Sequence, residues 1–420
     1  MRIKYLLPAL LLCSSGLQAQ DTTRLQYPQF LAQVGQHNLG YAAEKFNVDV
    51  ASANIEIAKV FPDPQWTAGF ADNGQRRMET GYAFNSGLSW TLELGGKRRA
   101  RIGLAKEEHS LAKLQLADYF RNLRADATLA YLQAMQQQRL YEIKKQAWQF
   151  MDQLAIADSI RFKAGAITET DARQSRVEAG TLLTETYQAA ADWKTAMLQL
   201  NQLSGVQSAD TLPLATGDLG RFVRHFPLQD LLMQATQQRA DLLAALQQQQ
   251  VAQQALRVAR SSRVIDLGLN AGLNATSVVT NVVAPTPSMN TLSAGVSVPL
   301  KFSNKYKGEL LAANAGIKQS AVQTKQASVQ VQTEVIQAYT NYEAATRQLQ
   351  LFDAGLLDDA RKVLAGKTYA YRRGETTLLE VLNAQRTYND VQQQYYQTVY
   401  QHAAALVELE RAAGIWDIEF

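Results

Sequence analysis

The chain has 420 residues, a formal net charge of +4 and 46% hydrophobic residues. That length holds two or three ordinary domains. The apolar fraction excludes global disorder, and the near-neutral charge gives no basis for a nucleic-acid partner.

The chain opens with a secretion signal: Arg2 and Lys4, an apolar run from Leu6 to Leu12, and a small-residue exit ending at Ala19. Removing residues 1–19 leaves a net charge of +2. Cys13 is the single cysteine. A lipoprotein signal places a small residue before its cysteine, whereas Leu12 precedes Cys13, which favours plain cleavage over lipidation. The mature chain then holds no thiol for a disulfide or a metal. No later run is long and apolar enough for a transmembrane helix. A secreted chain of this kind is periplasmic, extracellular or part of an outer-membrane β-barrel, whose strands carry a weak sequence signal.

In chain order, the patterns predict a helix over 27–59, alternating strands over 64–72 and 82–94, and a very long helix over 97–162. A glycine turn at Gly165 and a return helix over 168–204 follow. The stretch 205–226, with Gly205, Pro213, Gly217 and Gly220, reads as a linker. The series then recurs as a helix over 227–260, strands over 264–275 and 291–302, a long helix over 305–371, a turn at Gly374 and a helix over 376–413. The residues themselves repeat. Gly87–Leu92 aligns with Gly295–Leu300, Ala130-Tyr131 with Ala338-Tyr339, and Arg161–Gly165 with Ala370–Gly374. The expected organisation is therefore a first repeat over 20–204, the linker 205–226, a second repeat over 227–413 and a tail over 414–420.

Leu88, Trp90, Leu92 and Leu94 share one face of their strand, and Ser89, Thr91 and Glu93 the other. Such strands suit a bilayer wall in length and alternation. Four strands cannot close a barrel alone, and open edges are not tolerated in lipid. Other copies of the chain must complete it. Val331, Val335, Ala338, Tyr342, Ala345, Leu349 and Phe352 step alternately by four and three residues, which is a coiled-coil seam. A helix of about 65 residues spans on the order of 100 Å, the scale of a tunnel wall that crosses a compartment.

Enzyme signatures are missing: there is no phosphate loop, nucleophile elbow or His-Glu-x-x-His helix. His37, His109, His225 and His402 are scattered without carboxylates at ligand spacing, so neither a metal site nor a cofactor is expected. The tyrosines at 388, 395, 396 and 400 read as helix packing rather than a substrate cage.

Two turn regions, Lys163-Ala-Gly-Ala-Ile-Thr-Glu-Thr-Asp171 and Tyr371-Arg-Arg-Gly-Glu-Thr-Thr-Leu-Leu-Glu-Val-Leu-Asn-Ala-Gln385, carry a family resemblance. The chain resembles the TolC family of outer-membrane efflux channels over nearly all its mature length. Phe61-Pro-Asp-Pro64 and Leu92-Glu-Leu-Gly-Gly-Lys-Arg98 make it most similar to the cation-efflux branch. The resemblance implies a mainly α fold with a small β part, in which three copies pool their strands into one β-barrel above a coiled-coil tunnel. It implies a homotrimer in outer-membrane lipid, a periplasmic membrane-fusion adaptor and an inner-membrane RND pump as partners, and passive export of heavy-metal cations. It places Glu380, Asn383, Thr170 and Asp171 at the periplasmic mouth. Glu380 keeps the acid that lines the constriction in relatives, whereas Asn383 departs from it. Thr170 and Asp171 match residues that tether neighbouring helices shut, although their arginine partner is replaced by Thr376. The tips Gly165, Ala166, Arg373, Gly374 and Glu375 would meet the adaptor. Ducts for type I protein secretion or drug efflux share this fold, and a poreless periplasmic coiled-coil scaffold is the reading from another class.

Overall fold

The computed structural model describes residues 24–72, 81–206, 214–217, 224–301 and 305–417. The expected signal segment with Cys13, much of the expected 205–226 linker and the last tail residues lie outside them. The described chain runs β1 (Arg24–Gln26), α1 (Tyr27–His37), α2 (Leu39–Lys59), β2 (Gln65–Asp72), β3 (Tyr82–Leu92), α3 (Lys97–Lys163), α4 (Glu169–Leu203) and β4 (Leu214–Thr216). It continues with α5 (Leu228–Gln238), α6 (Ala240–Ser262), β5 (Leu267–Thr276), β6 (Met289–Ser297), α7 (Lys307–Leu351), α8 (Leu357–Arg372) and α9 (Leu378–Ala413).

Three helices expected to be continuous are broken. The 27–59 helix stops at Asn38, which has extended backbone. Its side chain accepts from the Tyr41 amide at 2.9 Å, capping α2, and donates to the Leu203 carbonyl at 2.9 Å. Asparagine makes such local bonds at the expense of helix continuity. The 227–260 helix breaks at Arg239, also extended. Its guanidinium is 2% exposed, bonded to Glu334 at 2.7 Å and to the Ala412 carbonyl at 3.0 Å. The 305–371 helix is interrupted by a π-helical turn over Phe352–Leu356, where Gly355 has φ 102. That value lies in the left-handed region, which a glycine tolerates. By contrast α3 runs unbroken for 67 residues, about 100 Å at the helical rise.

β2, β3, β5 and β6 form one antiparallel sheet in that order. Its register sets two unlike faces. Trp66 lies opposite Leu88, Trp90 opposite Leu269, Leu88 opposite Ala271, and Leu273 opposite Leu292, so these residues share an apolar face. Asn85 lies opposite Asn274, Ser89 opposite Asn270, and Gly272 opposite Ser293, so small and polar residues share the other. The apolar face is open, with Trp66 69% and Leu292 82% exposed. Trp66 and Trp90 sit at its helix-proximal end, and Phe70, Tyr82 and Phe84 at its far end. Aromatic residues concentrate in this way at the two interfaces of a bilayer wall. The outer strands β2 and β6 have no further partner within the described chain.

A second, two-stranded sheet pairs β1 with β4 in parallel, giving part of the linker a regular structure. The Tyr131 hydroxyl on α3 donates to the Leu25 carbonyl at 2.7 Å and accepts from the Thr216 amide at 3.0 Å, fixing both strands. Around it lies the larger core, with Phe30, Leu132, Val335, Tyr342 and Leu406. The predicted seam is buried from Val331 through Val335, Ala338, Tyr342 and Ala345 to Leu349, while its last member, Phe352, is half-buried at the π turn. A smaller core near the hairpin tips contains Met151, Leu154, Leu182, Tyr371, Val381 and Leu382. Among the described residues, no helix is long and apolar enough to cross a membrane.

Candidate functional site

The two helical hairpins end in matching turns. At the first, Gly165 has φ 72, and the Ala166 amide donates to the Arg161 carbonyl at 2.9 Å. At the second, Gly374 has φ 77, and the Glu375 amide donates to the Ala370 carbonyl at 3.0 Å. Both are Schellman caps, whose left-handed residue favours glycine. A Cβ on either glycine would meet nothing within 4 Å, so backbone conformation alone demands glycine. Gly165, Ala166, Arg373, Gly374 and Glu375 are exposed at these tips.

Thr168 caps α4. Its hydroxyl accepts from the Asp171 amide at 3.2 Å and donates to the Asp171 carboxylate at 2.7 Å. Asp171 is thus held within its own helix start, and Thr170 beside it is exposed. Arg373 at the second tip is engaged inside its own hairpin. It donates to the Tyr369 hydroxyl at 2.8 Å and pairs with Glu375 at 3.1 Å. Within one chain, the Thr170–Asp171 pair does not form the link between hairpins.

Other residues do. The Tyr371 hydroxyl on α8 donates to Asp158 Oδ1 on α3 at 2.9 Å. Asp158 is fully buried, and its Oδ2 has no hydrogen-bond partner. Arg161 lies over the Tyr371 ring, 4.6 Å from its centroid. Burial pushes the Asp158 carboxyl above the ordinary carboxylate range, against the opposing pull of Tyr371 and Arg161. A second link, Arg386 on α9 to both carboxylate oxygens of Glu178 on α4, spans 2.7 and 3.1 Å. Sequence reasoning missed Asp158. Its signal was present, because Ala147, Met151, Leu154 and Asp158 step by four and three residues and put an acid in an apolar seam.

Glu380 and Asn383 are exposed near the start of α9, three residues apart and so on neighbouring parts of one helix surface. Glu380 pairs with Lys367 of α8 at 2.8 Å. Its negative charge is therefore partly compensated, a partner that the sequence did not reveal. Tyr395 packs edge-on against Phe352 and Tyr396, in keeping with a packing role for the tyrosine stretch. Among the described residues, no three His, Cys, Asp or Glu side chains are grouped to hold a metal ion.

The outer membrane efflux protein family model matches residues 31–206 and 231–415. The cobalt-zinc-cadmium resistance protein CzcC of Cupriavidus metallidurans is 24% identical over 398 residues, 94% of this chain and 91% of that one. The outer membrane protein TolC of Escherichia coli is 24% identical over 309 residues, 70% of this chain and 59% of that one. The outer membrane channel CmeC of Campylobacter jejuni superposes with a TM-score of 0.76 at 15% identity, covering 92% of this chain and 85% of that one. CusC superposes with a TM-score of 0.74 at 17% identity, covering 93% and 92%. At these identities the structures show a shared fold. With the family match spanning both halves of a two-faced sheet and long-helix architecture, the chain belongs to the outer membrane efflux protein family, whose members are channels rather than enzymes.

Proposed function

We propose that this channel is the trimeric exit duct of a tripartite efflux assembly, taking heavy-metal cations from a periplasmic adaptor and an RND pump to the exterior. The unpaired edges of β2 and β6 on a two-faced sheet carry the duct reading. Three copies joined edge to edge close a barrel with the apolar face in lipid and the Asn and Ser face toward water. Similarity to a cobalt-zinc-cadmium resistance protein over nearly the whole chain supports the cargo. The cation is substrate here, and selection among cations belongs to the pump. The exposed turns at Gly165 and Gly374 suit adaptor docking, and exposed Glu380 with Asn383 suits the mouth.

The test is a gene deletion in otherwise intact cells, challenged separately with cobalt, zinc, cadmium and hydrophobic drugs. Greater sensitivity to the divalent cations, restored by the intact gene, is the expected result. Sensitivity to drugs alone would overturn the metal reading while leaving a duct.

A further inference from the structure

The groove between the start of α3 and the end of α6 has a volume of about 670 Å³. Its walls bring together Arg99, Lys106, Arg257 and Arg260 with Gly95 and Gly96, and no acid lines it. Two neighbouring cations at the same sheet-to-helix junction are paired with acids, whereas Arg98 and Lys301 reach backbone carbonyls. Lys97 reaches Asp266 at 2.6 Å, and Arg101 reaches Glu93 at 2.9 Å. Arg99, Lys106 and Arg260 have no acidic partner among the described residues, and Arg257 reaches only the Gln254 side chain at 3.3 Å. Four like charges held close repel one another unless an anion enters. The N-terminal end of α3, whose first turn holds no acid, and the C-terminal end of α6 carry opposite dipole ends, so the side-chain cations carry the field.

The direction in which the groove opens follows from the register. Leu92 and Leu267 are partners on the apolar face of the sheet. Glu93 and Asp266, one step further along each strand, therefore belong to the polar side. Lys97 and Arg101 reach these acids, so that side of α3 follows the polar face. A helix turns about 100° per residue, which places Arg99 and Lys106 roughly opposite Lys97 and Arg101. The groove thus continues the apolar face, on the side of the sheet that carries Trp90. β3 and β5, which α3 and α6 extend, are the central strands. The groove is remote from the β2 and β6 edges, where another copy would pair.

We propose that this groove binds the headgroup phosphate of an anionic phospholipid in the periplasmic leaflet of the outer membrane, with the acyl chains along the apolar sheet face. Cations at this depth meet lipid phosphates, and each contributes an attraction that adds over a cluster. The inference rests on the sheet being the membrane wall.

The full-length protein is reconstituted in phosphatidylethanolamine vesicles holding a minor fraction of phosphatidylglycerol. Flotation reports insertion, and mass spectrometry counts the lipids retained after mild detergent extraction. The wild type should retain phosphatidylglycerol at least about tenfold above its share of the vesicle. Arg99→Gln/Arg257→Gln/Arg260→Gln should bring that ratio close to bulk, whereas Lys113→Gln/Lys318→Gln/Lys325→Gln, on α3 and α7 outside the groove, should leave it unchanged. Should the first triple variant fail to float, Arg257→Gln alone is measured, with a partial loss of the ratio expected. Floating wild type with no enrichment, or a floating variant as enriched as wild type, overturns the lipid site and leaves the membrane wall intact. Wild type that does not float overturns both. Inorganic phosphate that binds the lipid-free protein and displaces the retained lipid would overturn the phospholipid assignment in favour of a free-anion site.

Discussion

Tyr371 donates a 2.9 Å hydrogen bond to Asp158, a buried acid 213 residues away in sequence, and so fastens the second helical hairpin to the first. Arg161 lies 3.7 Å from the same carboxylate, whose other oxygen has no hydrogen-bond partner. Tyr371→Phe removes the hydroxyl and leaves the ring that packs against Arg161. Losing a hydrogen bond to a buried acid costs on the order of 1–3 kcal/mol. The hairpins should then separate more readily, giving higher or longer-lived conductance in planar bilayers. Asp158→Asn, which keeps an acceptor, should change it less. Wild-type conductance in Tyr371→Phe would reduce this contact to local packing.

The pairing of Glu380 with Lys367 makes a two-sided prediction about ion preference. Both side chains are exposed, so the pair adds only ~0.5 kcal/mol to stability and neither substitution should disturb folding. Their effects on charge are opposite. Glu380→Gln removes an acid and frees a cation, and the reversal potential should move toward anions. Lys367→Gln frees the acid and should move it toward cations. Reversal potentials unchanged in both variants would take Glu380 out of the conduction path.

Glu410 on α9 should make stability depend on pH. It is fully buried, with Arg224 3.7 Å away and the Asp417 amide donating to it at 3.2 Å. Arg124, Tyr27 and Tyr342 also feel its charge. Burial first, then the Asp417 carboxyl, push its pKa up from 4.5 to about 8. The folded chain thus holds this proton more tightly than the unfolded chain does. The resulting stability is fully present below about pH 4.5 and is lost as pH rises through about 8. Melting temperature should fall across that window in the wild type and fall less in Glu410→Gln. Equal slopes would mean that other groups set the pH response.

The features legible in the sequence were those that a single residue or a short period dictates. Gly165 and Gly374 announce left-handed caps by themselves, and the alternation through Leu88, Trp90 and Leu92 assigns the two sheet faces. The helix breaks depend on distant chain. Arg239 is a good helix former, and its bonds to Glu334 and the Ala412 carbonyl accompany the extended backbone there. Asn38 likewise reaches Leu203. At the hairpin tips, the resemblance pointed to Thr170 and Asp171, while the contact inside one chain uses Asp158, whose only signal was a carboxylate in an apolar seam.

The two sheet faces can be separated by adjacent residues of one central strand. Ala271 lies on the apolar face between Leu88 and Ala294, and Asn270 on the polar face between Ser89 and Gly295. Both sit near the middle of β5, with Ala271 in the cross-strand row of Trp66 and Leu88. Ala271→Arg puts a guanidinium on the lipid face inside the Trp66 girdle, at a cost between the ~1 kcal/mol of the interface and the ~2–4 kcal/mol of the midplane, so membrane insertion and assembly should fall. Asn270→Arg points the same group into water. It should leave insertion intact while narrowing the lumen and adding positive charge, which lowers conductance and cation preference. Insertion is measured by heat-modified gel mobility of membrane fractions, and conductance in planar bilayers. Were Asn270→Arg to block insertion while Ala271→Arg inserted normally, the two faces would be reversed, and the sheet could not be the barrel wall in this orientation.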